Sequence, residues 1–331
     1  MNRIFIKALC LIIAILMICP LLFACKSSTE DDTEAPSNVH TVKFNTNGGT
    51  PIDDIEVRHG QKISEPPAPT RDNYIFLHWE QNNRRWIFTS KEVTEDITLH
   101  AIWISAADLF KIEPVENTDD LMITGFAQQK DIYMLRIPEK INGKDVVAIS
   151  AHAFESIHEQ HADHLIIPST VKVLGEGSFK SISKVHVEFK GSISTLDVST
   201  FEACSTLETV KLDAGMKTIP YRCFFGASGL VTLDVPEGVE TIEENALSYC
   251  TSLQTIVLPS TLKTVEDGAF DGADNLVVIF FKGTEEEFDT LDIRNENDPL
   301  ISAKLYFYSE TEPTEKGDFW HYDKSNIPVL W

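Results

Sequence analysis

The chain has 331 residues, 51 acidic and 28 basic, for a formal net charge of −23. A surface this negative repels phosphate backbones and anionic headgroups, and no basic run overrides the repulsion, so nucleic acid is excluded as a partner. The length is enough for two domains.

The first 24 residues stand outside any fold. Arg3 and Lys7 make a short basic start, Ala8 to Phe23 is an almost unbroken apolar stretch, and Leu22-Phe23-Ala24-Cys25 ends it with a small residue before a cysteine. This order describes a secretory signal. The closing cysteine makes it resemble a bacterial lipoprotein signal, and the resemblance implies that Cys25 is the lipidated first residue of the mature chain, with an acyl chain such as palmitate holding it at a membrane outside the cytoplasm. An uncleaved anchor is the alternative, since the apolar run approaches the length that spans a bilayer. Cleavage leaves 26 basic and 51 acidic residues, a net charge of −25. Residues 25–39 contain KSSTEDDTEAPSN. That composition buries too little apolar surface to offset its ordering entropy, and it reads as a flexible tether.

Residues 40–103 have a different texture. Thr41 to Asn45 alternates as a strand does, Asn47-Gly48-Gly49 supplies a turn, and Ile55 to His59 offers a second strand. Pro66-Pro67-Ala68-Pro69 enforces an extended link, and a last strand runs from Thr98 to Trp103. Tyr74, Phe76, Trp79, Trp86, Phe88 and Trp103 provide the core of a small sheet. Through VKFNTNGG, PAPTRDNYIF, Trp79 and VTEDITLHAIW the stretch resembles the Listeria-Bacteroides repeat, a compact β-grasp-like module. It departs from that family at Asn73 and His78, where glycines are usual; Asn tolerates a left-handed backbone better than His does. The resemblance implies a stalk or protein-contact module without catalysis.

After a linker and N-terminal cap at 104–131, residues 132–282 repeat with a period of 23. Phe201, Phe224, Leu247 and Phe270 lie 23 apart. Five residues before them stand Leu196, Ile219, Ile242 and Val265, and three earlier again Ile193, Met216, Val239 and Leu262. A second track places Val210, Leu233, Ile256 and Ile279 two residues ahead of Leu212, Val235, Leu258 and Phe281. Val146/Ile149/Phe154 and Val171/Leu174/Phe179 are two earlier copies. Such self-similarity predicts a solenoid, mainly β with short helices or turns, in which each unit buries its apolar face against its neighbours. Apolar residues spaced by two, as in Val210/Leu212 and Ile256/Leu258, predict short parallel strands, and the Phe-bearing segments predict an opposite wall of turns or short helical pieces.

LETVKL, LVTLDVPEGVETIEENAL and LQTIVLPSTLKTVEDGAF resemble the leucine-rich repeats of BspA-like bacterial surface proteins, with the proline after the strand at Pro138, Pro168, Pro236 and Pro259. One copy has Asp213 there, and the copy before it has Glu188-Phe189-Lys190-Gly191 and is two residues longer, which predicts a bulge. Residues 283–331 resemble the closing segment of that family and read as a cap, with Phe307, Phe319, Trp320 and Trp331 covering the open end. The resemblance implies adhesion to a protein partner on a host or on another bacterium. A structural spacer or envelope assembly component and a carbohydrate-capturing protein are the alternatives, and a monomer is expected.

Outward strand positions form readable columns. One runs Arg136, Ile166, His186, Lys211, Asp234, Val257, Phe280, and its neighbour runs Met134, His164, Lys184, Thr209, Thr232, Thr255, Val278. These are the candidate binding face, with Phe280 the candidate apolar contact, exposed or packed beneath the cap; equally, Thr and Val are good strand residues on any pleated surface. His158, His161 and His164, with Glu159 and Asp163, are the only histidine cluster. Their spacing spreads imidazoles over a wide arc and lacks the four-residue step of HExxH, so no metal site is expected. Asp267, Asp271 and Asp274 lack the alternating calcium-loop pattern. Cys204, Cys223 and Cys250 fit core filler, not a disulfide or metal set. With only an isolated Gly175-x-Gly177 and no nucleophile elbow or phosphate loop, no catalytic residue and no cofactor are expected.

Overall fold

The computed structural model describes residues 38–128, 132–155, 162–182, 186–314, 316–325 and 327–331. The signal, Cys25, most of the tether, His158, His161 and Lys184 lie outside the described residues. Among the described residues no helix is long and apolar enough to cross a membrane.

The module is a five-stranded sheet of β1 (Val39–Asn45), β2 (Ile55–Arg58), β3 (Tyr74–Gln81), β4 (Arg84–Arg85) and β5 (Ile97–Ser105), in the order β2-β1-β5-β3-β4. β1 and β5 run parallel and the other pairs antiparallel. Alternation puts Val42, Phe44, Trp79, Leu99 and Ala101 on one face, where Phe44 meets Trp79 edge-on at 5.0 Å. Asn73 takes the left-handed backbone, φ 64°, at the position where glycine is usual. His78 instead stays within β3, and the ladder to β5 slips between Phe76 and His78, so a bulge replaces the turn that a glycine would permit.

A short helix α1 (Ala106–Leu109) leads into the hairpin of β6 (Phe110–Pro114) and β7 (Leu121–Phe126), which opens the solenoid. The turns then alternate between two strand ladders. One wall holds β8 (Ile132–Arg136), β11 (Ala162–Ile167), β13 (His186–Phe189), β16 (Thr232–Asp234), β18 (Thr255–Leu258) and β20 (Val278–Phe281). The second holds β10 (Lys144–Ile149), β12 (Val173–Leu174), β14 (Thr195–Leu196), β15 (Thr218–Ile219), β17 (Thr241–Ile242) and β19 (Thr264–Val265), with β9 (Lys140–Ile141) paired to β10. Pairing between successive turns is parallel and in register, for example Ile256 beside Ile279 and Ile242 beside Val265. The residues five before each Phe thus build a second strand wall of their own. Past the repeats come α2 (Glu285–Asp289), β21 (Asp292–Ile293), α3 (Asp298–Ser302), β22 (Lys304–Tyr308), β23 (Phe319–Tyr322) and β24 (Pro328–Leu330).

The third wall is built of turns around the periodic aromatic. Phe154, Phe179, Phe201 and Phe224 are fully buried, and the rings of Phe179, Phe201 and Phe224 stack at 5.6 and 5.4 Å. Two residues before the periodic position, His152, Gly177, Ser199, Arg222, Asn245 and Gly268 all have φ between 52° and 61°. Two residues after it, Ser181, Ala203, Gly226, Tyr249 and Gly272 are left-handed as well. This alternation turns every second N–H toward the next turn: Ser199, Phe201 and Ala203 donate to the carbonyls of Tyr221, Cys223 and Phe225 at 3.0, 2.8 and 2.7 Å. Arg222, Phe224 and Gly226 repeat the pattern to Glu244, Ala246 and Ser248. Buried backbone donors demand partners, and the ladder supplies them at a local cost for each non-glycine left-handed residue.

At the last turn the ladder has no further repeat to meet. Gly268 donates to the Asn295 carbonyl at 2.9 Å, and Phe270 donates to the side-chain Oδ1 of Asn297 at 3.0 Å. Asn297 Nδ2 in turn donates to the carbonyls of Glu266, Arg294 and Asn295 at 2.9, 3.1 and 3.2 Å. The buried amide of Asn297 replaces a neighbouring turn.

One copy breaks the order. The strand expected at Val210/Leu212 is absent, although both side chains point inward and are buried; Leu212 makes only an isolated bridge with Ile193. Ile193 donates to the Lys211 carbonyl at 2.9 Å and accepts from Asp213 N–H at 2.8 Å. Ile193 thus takes the place of a strand neighbour for Leu212, and the ladder stops at β13 and resumes at β16. Ser192 and Ser194 hydroxyls bond the Asp213 carboxylate, and the Ser192 bond holds it below the ordinary carboxylate range.

The module is built onto the solenoid. β3 lies against β8, and Ile75 belongs to the same core as Ala106, Leu109 and Phe110. Asn73 accepts N–H groups from Ala106 at its carbonyl and from Asn142 at its side chain, at 2.8 and 2.6 Å.

Candidate binding face

The outward side of the β8 to β20 wall carries the columns, because alternate residues of each strand point away from the core. Arg136, Ile166 and Glu188 stand in register, as do His164 and His186. His186 therefore belongs beside His164 rather than beside Ile166. The inward residues of this strand are Val187 and Phe189, paired with Leu165 and Ile167 and lying 23 residues before Val210 and Leu212, so this copy keeps the period and the expected two-residue insertion is not there.

Three of the expected contact residues are not available. Ile166, Val257 and Phe280 are only 6%, 4% and 8% exposed. Val257 and Phe280 are covered by Trp320 and Tyr322 of β23, which extends the same sheet beyond β22 and turns back into β24. Trp320 is fully buried with its ring 5.1 Å from Phe280, and its Nε1 donates to the Phe281 carbonyl at 3.0 Å. Trp320 thus covers the outer sheet face and not the open end, where Leu300, Phe288 and Phe307 join the main core. The lid is fastened by Asp234, whose carboxylate accepts from Tyr322 Oη and from Lys282 Nζ, each at 2.9 Å. Burial and the adjacent Asp234 charge push the Tyr322 phenol above its ordinary range. Trp320 and Tyr322 act on the face through contacts that no repeat position announces.

Arg136, at the other end of the wall, is exposed and opens into a cleft beside the module. Between this cleft and the covered C-terminal end remains an open window. Thr209, Lys211 and Thr232 are exposed, Thr255 is half-buried, and His164 and His186 meet edge-on at 5.5 Å. His164, His186, Ser205, Thr206, Glu208 and Val231 line a shallow depression here of about 470 Å³. The lining side chains are polar apart from Val231, with Glu208 acidic and Lys211 basic nearby. Lys211 projects from the stretch that forms no strand.

Among the described residues no three His, Cys, Asp or Glu side chains converge as a metal site. Cys204, Cys223 and Cys250 are buried free thiols; burial pushes Cys204 and Cys250 up to about 12 and raises Cys223 further from reactivity. Gly175 serves packing, since a Cβ there would lie 2.6 Å from the Ala151 nitrogen of the preceding turn.

Stacked parallel turns with a periodic apolar interior define a leucine-rich repeat solenoid, a class that generally binds proteins and is generally without catalysis. Residues 147–277 match the BspA type leucine rich repeat region in six copies, and residues 40–102 match the Listeria-Bacteroides repeat domain. The chain carries BspA type repeats behind a Listeria-Bacteroides module. Among solved structures it is similar to a leucine-rich repeat protein of T. pallidum, with 24% identity, 52% of this chain and 79% of that one covered, and a TM-score of 0.48. It is also similar to a leucine rich cell surface protein of Faecalibacterium prausnitzii, with 19% identity, 67% and 59% covered, and a TM-score of 0.47. A protein of Evansella cellulosilytica whose name describes a membrane protein is 38% identical over 69 residues, 20% of this chain. The match spans about a tenth of the length of the curated relatives.

Proposed function

We propose that the protein is a non-catalytic, surface-exposed binding protein, held outside the cytoplasm through lipid on Cys25, that adheres to a protein on a host or on another bacterium. The contact is the open window around His186, Thr209, Lys211 and Thr232. One observation carries this reading: Trp320 and Tyr322 cover the C-terminal end of the outer sheet wall, the module stands beside the other end, and the middle is left exposed. The membrane and surface descriptions of its relatives support the location.

The test is adhesion of cells displaying the full chain to a panel of immobilised host-matrix and bacterial-surface proteins. Lys211→Glu with Thr232→Glu abolishes the adhesion of the wild type while leaving surface display unchanged. Adhesion that survives the double substitution removes the window as the contact. Protease treatment of intact cells checks the location, and survival of the whole chain counts against it.

A further inference from the structure

Where the module meets the solenoid there is a cleft of about 490 Å³, within the size range of ligand sites. Its lining concentrates cations in a chain of strongly negative charge: Arg71, Arg136, Lys140 and Lys190, against Asp72 and Glu139. Lys140 is tied to Asp145 at 2.7 Å and Lys190 to Glu188. Arg71 and Arg136, one from each domain, make no ion pair among the described residues. Ile137, Phe76, Ile166 and Pro168 form an apolar floor beneath them.

Two guanidiniums with unspent donor forks select carboxylates, and the apolar floor selects a hydrophobic side chain beside the charge. The long-range field of the acidic chain opposes polyanions and leaves ligands with one or two negative groups. A sugar needs an open aromatic platform, but Arg71 lies on the Tyr74 ring at 3.9 Å and 6.0 Å from Trp103, so the nearest rings are engaged. We propose that this cleft binds a short peptide segment of a partner protein, carrying a carboxylate next to a large apolar residue, between Arg71 and Arg136. The assignment rests on the protein-binding reading above but uses residues outside the window, so the two fail separately.

The experiment applies the purified full chain to an array of hexapeptides that combine Asp or Glu with Phe, Leu, Ile or Trp in every order, beside the matching Asn and Gln peptides and an array of uronic and sialic acid oligosaccharides. The acidic-apolar peptides are retained at least about tenfold better than their amide counterparts, and Arg71→Gln or Arg136→Gln lowers retention by about tenfold or more. Arg136 is exposed, so its variant keeps the wild-type melting temperature, and Lys211→Glu leaves peptide retention unchanged. Equal retention of the amide peptides, retention by no peptide, retention of the sugars alone, or binding untouched by Arg136→Gln each overturns the proposal.

Discussion

Replacing Asn297 by alanine tests the ladder at its end. The side chain makes four hydrogen bonds, one accepted from Phe270 N–H and three donated to carbonyls, and the residue is 1% exposed. The carbonyls of Arg294 and Asn295 lie on exposed residues and regain water, and Glu266 keeps a bond from Ala269 N–H. The Phe270 N–H is buried and is left without a partner, a loss of about 1–3 kcal/mol, to which the donated bonds add about 1 kcal/mol. The expected loss is therefore about 3 kcal/mol, or about 5 °C in Tm for a chain of this size. Asn297→Asp keeps the acceptor but turns a carboxylate toward three carbonyls, so it is at least as damaging at neutral pH and recovers in part when protonated. Thermal and urea unfolding measure the loss, and hydrogen exchange at Phe270 locates it. A change under about 1 kcal/mol, or an Asp variant as stable as wild type, refutes the idea that this amide stands in for a missing turn.

Phe201→Ala empties a fully buried site stacked between Phe179 and Phe224 and lowers stability by about 3–5 kcal/mol, read by urea unfolding; a loss below 1 kcal/mol contradicts the packing. Gly229→Ala drives a Cβ into the Ser205 carbonyl oxygen of the preceding turn, and its loss of more than about 1 kcal/mol is checked by thermal melting. Trp320→Ala removes the ring that covers Phe280 and Val257, so binding of a hydrophobic dye rises while the solenoid's far-ultraviolet spectrum is retained; unchanged dye binding rejects this covering. The Glu202 carboxyl is opposed by burial but drawn down to about 2 by hydrogen bonds from Arg222, Ser199 and Lys180. Its folded pKa lies below the ordinary value of 4.5, so the unfolded chain takes up the proton first, and the stabilisation is present above 4.5 and lost as pH falls toward 2. Linkage bounds the effect at about 3 kcal/mol and the exposure of its partners leaves about 1–2. Acid titration of wild type against Glu202→Gln measures it, and parallel stability curves between pH 5 and 2 refute it.

The 23-residue period made the solenoid and its inward residues legible, because Phe201, Phe224, Leu247 and Phe270 must meet one another in a core that each unit shares only with its neighbours. The left-handed positions flanking them were not legible. His152, Ser199, Arg222 and Asn245 have nothing chemical in common; the requirement falls on the backbone, and only the ladder imposes it. The outward columns failed at His186 because Val185 and Val187 offer the same apolar spacing as Val187 and Phe189, and only pairing with Leu165 and Ile167 decides between them. The covering of Phe280 joins groups as far apart in sequence as Asp234 and Tyr322, 88 residues, and no local pattern reports a contact of that span.

The forward-pointing donors of the turn wall give the stack a direction. Along this wall each coil meets the next through the same bonds, so a further unit of the same length placed between two existing ones finds its turn-wall partners already there. The terminus cannot be copied in this way, since Asn297 answers donors that would otherwise face nothing. Extension by duplication is thus open among the regular turns and closed at the Asn297 end.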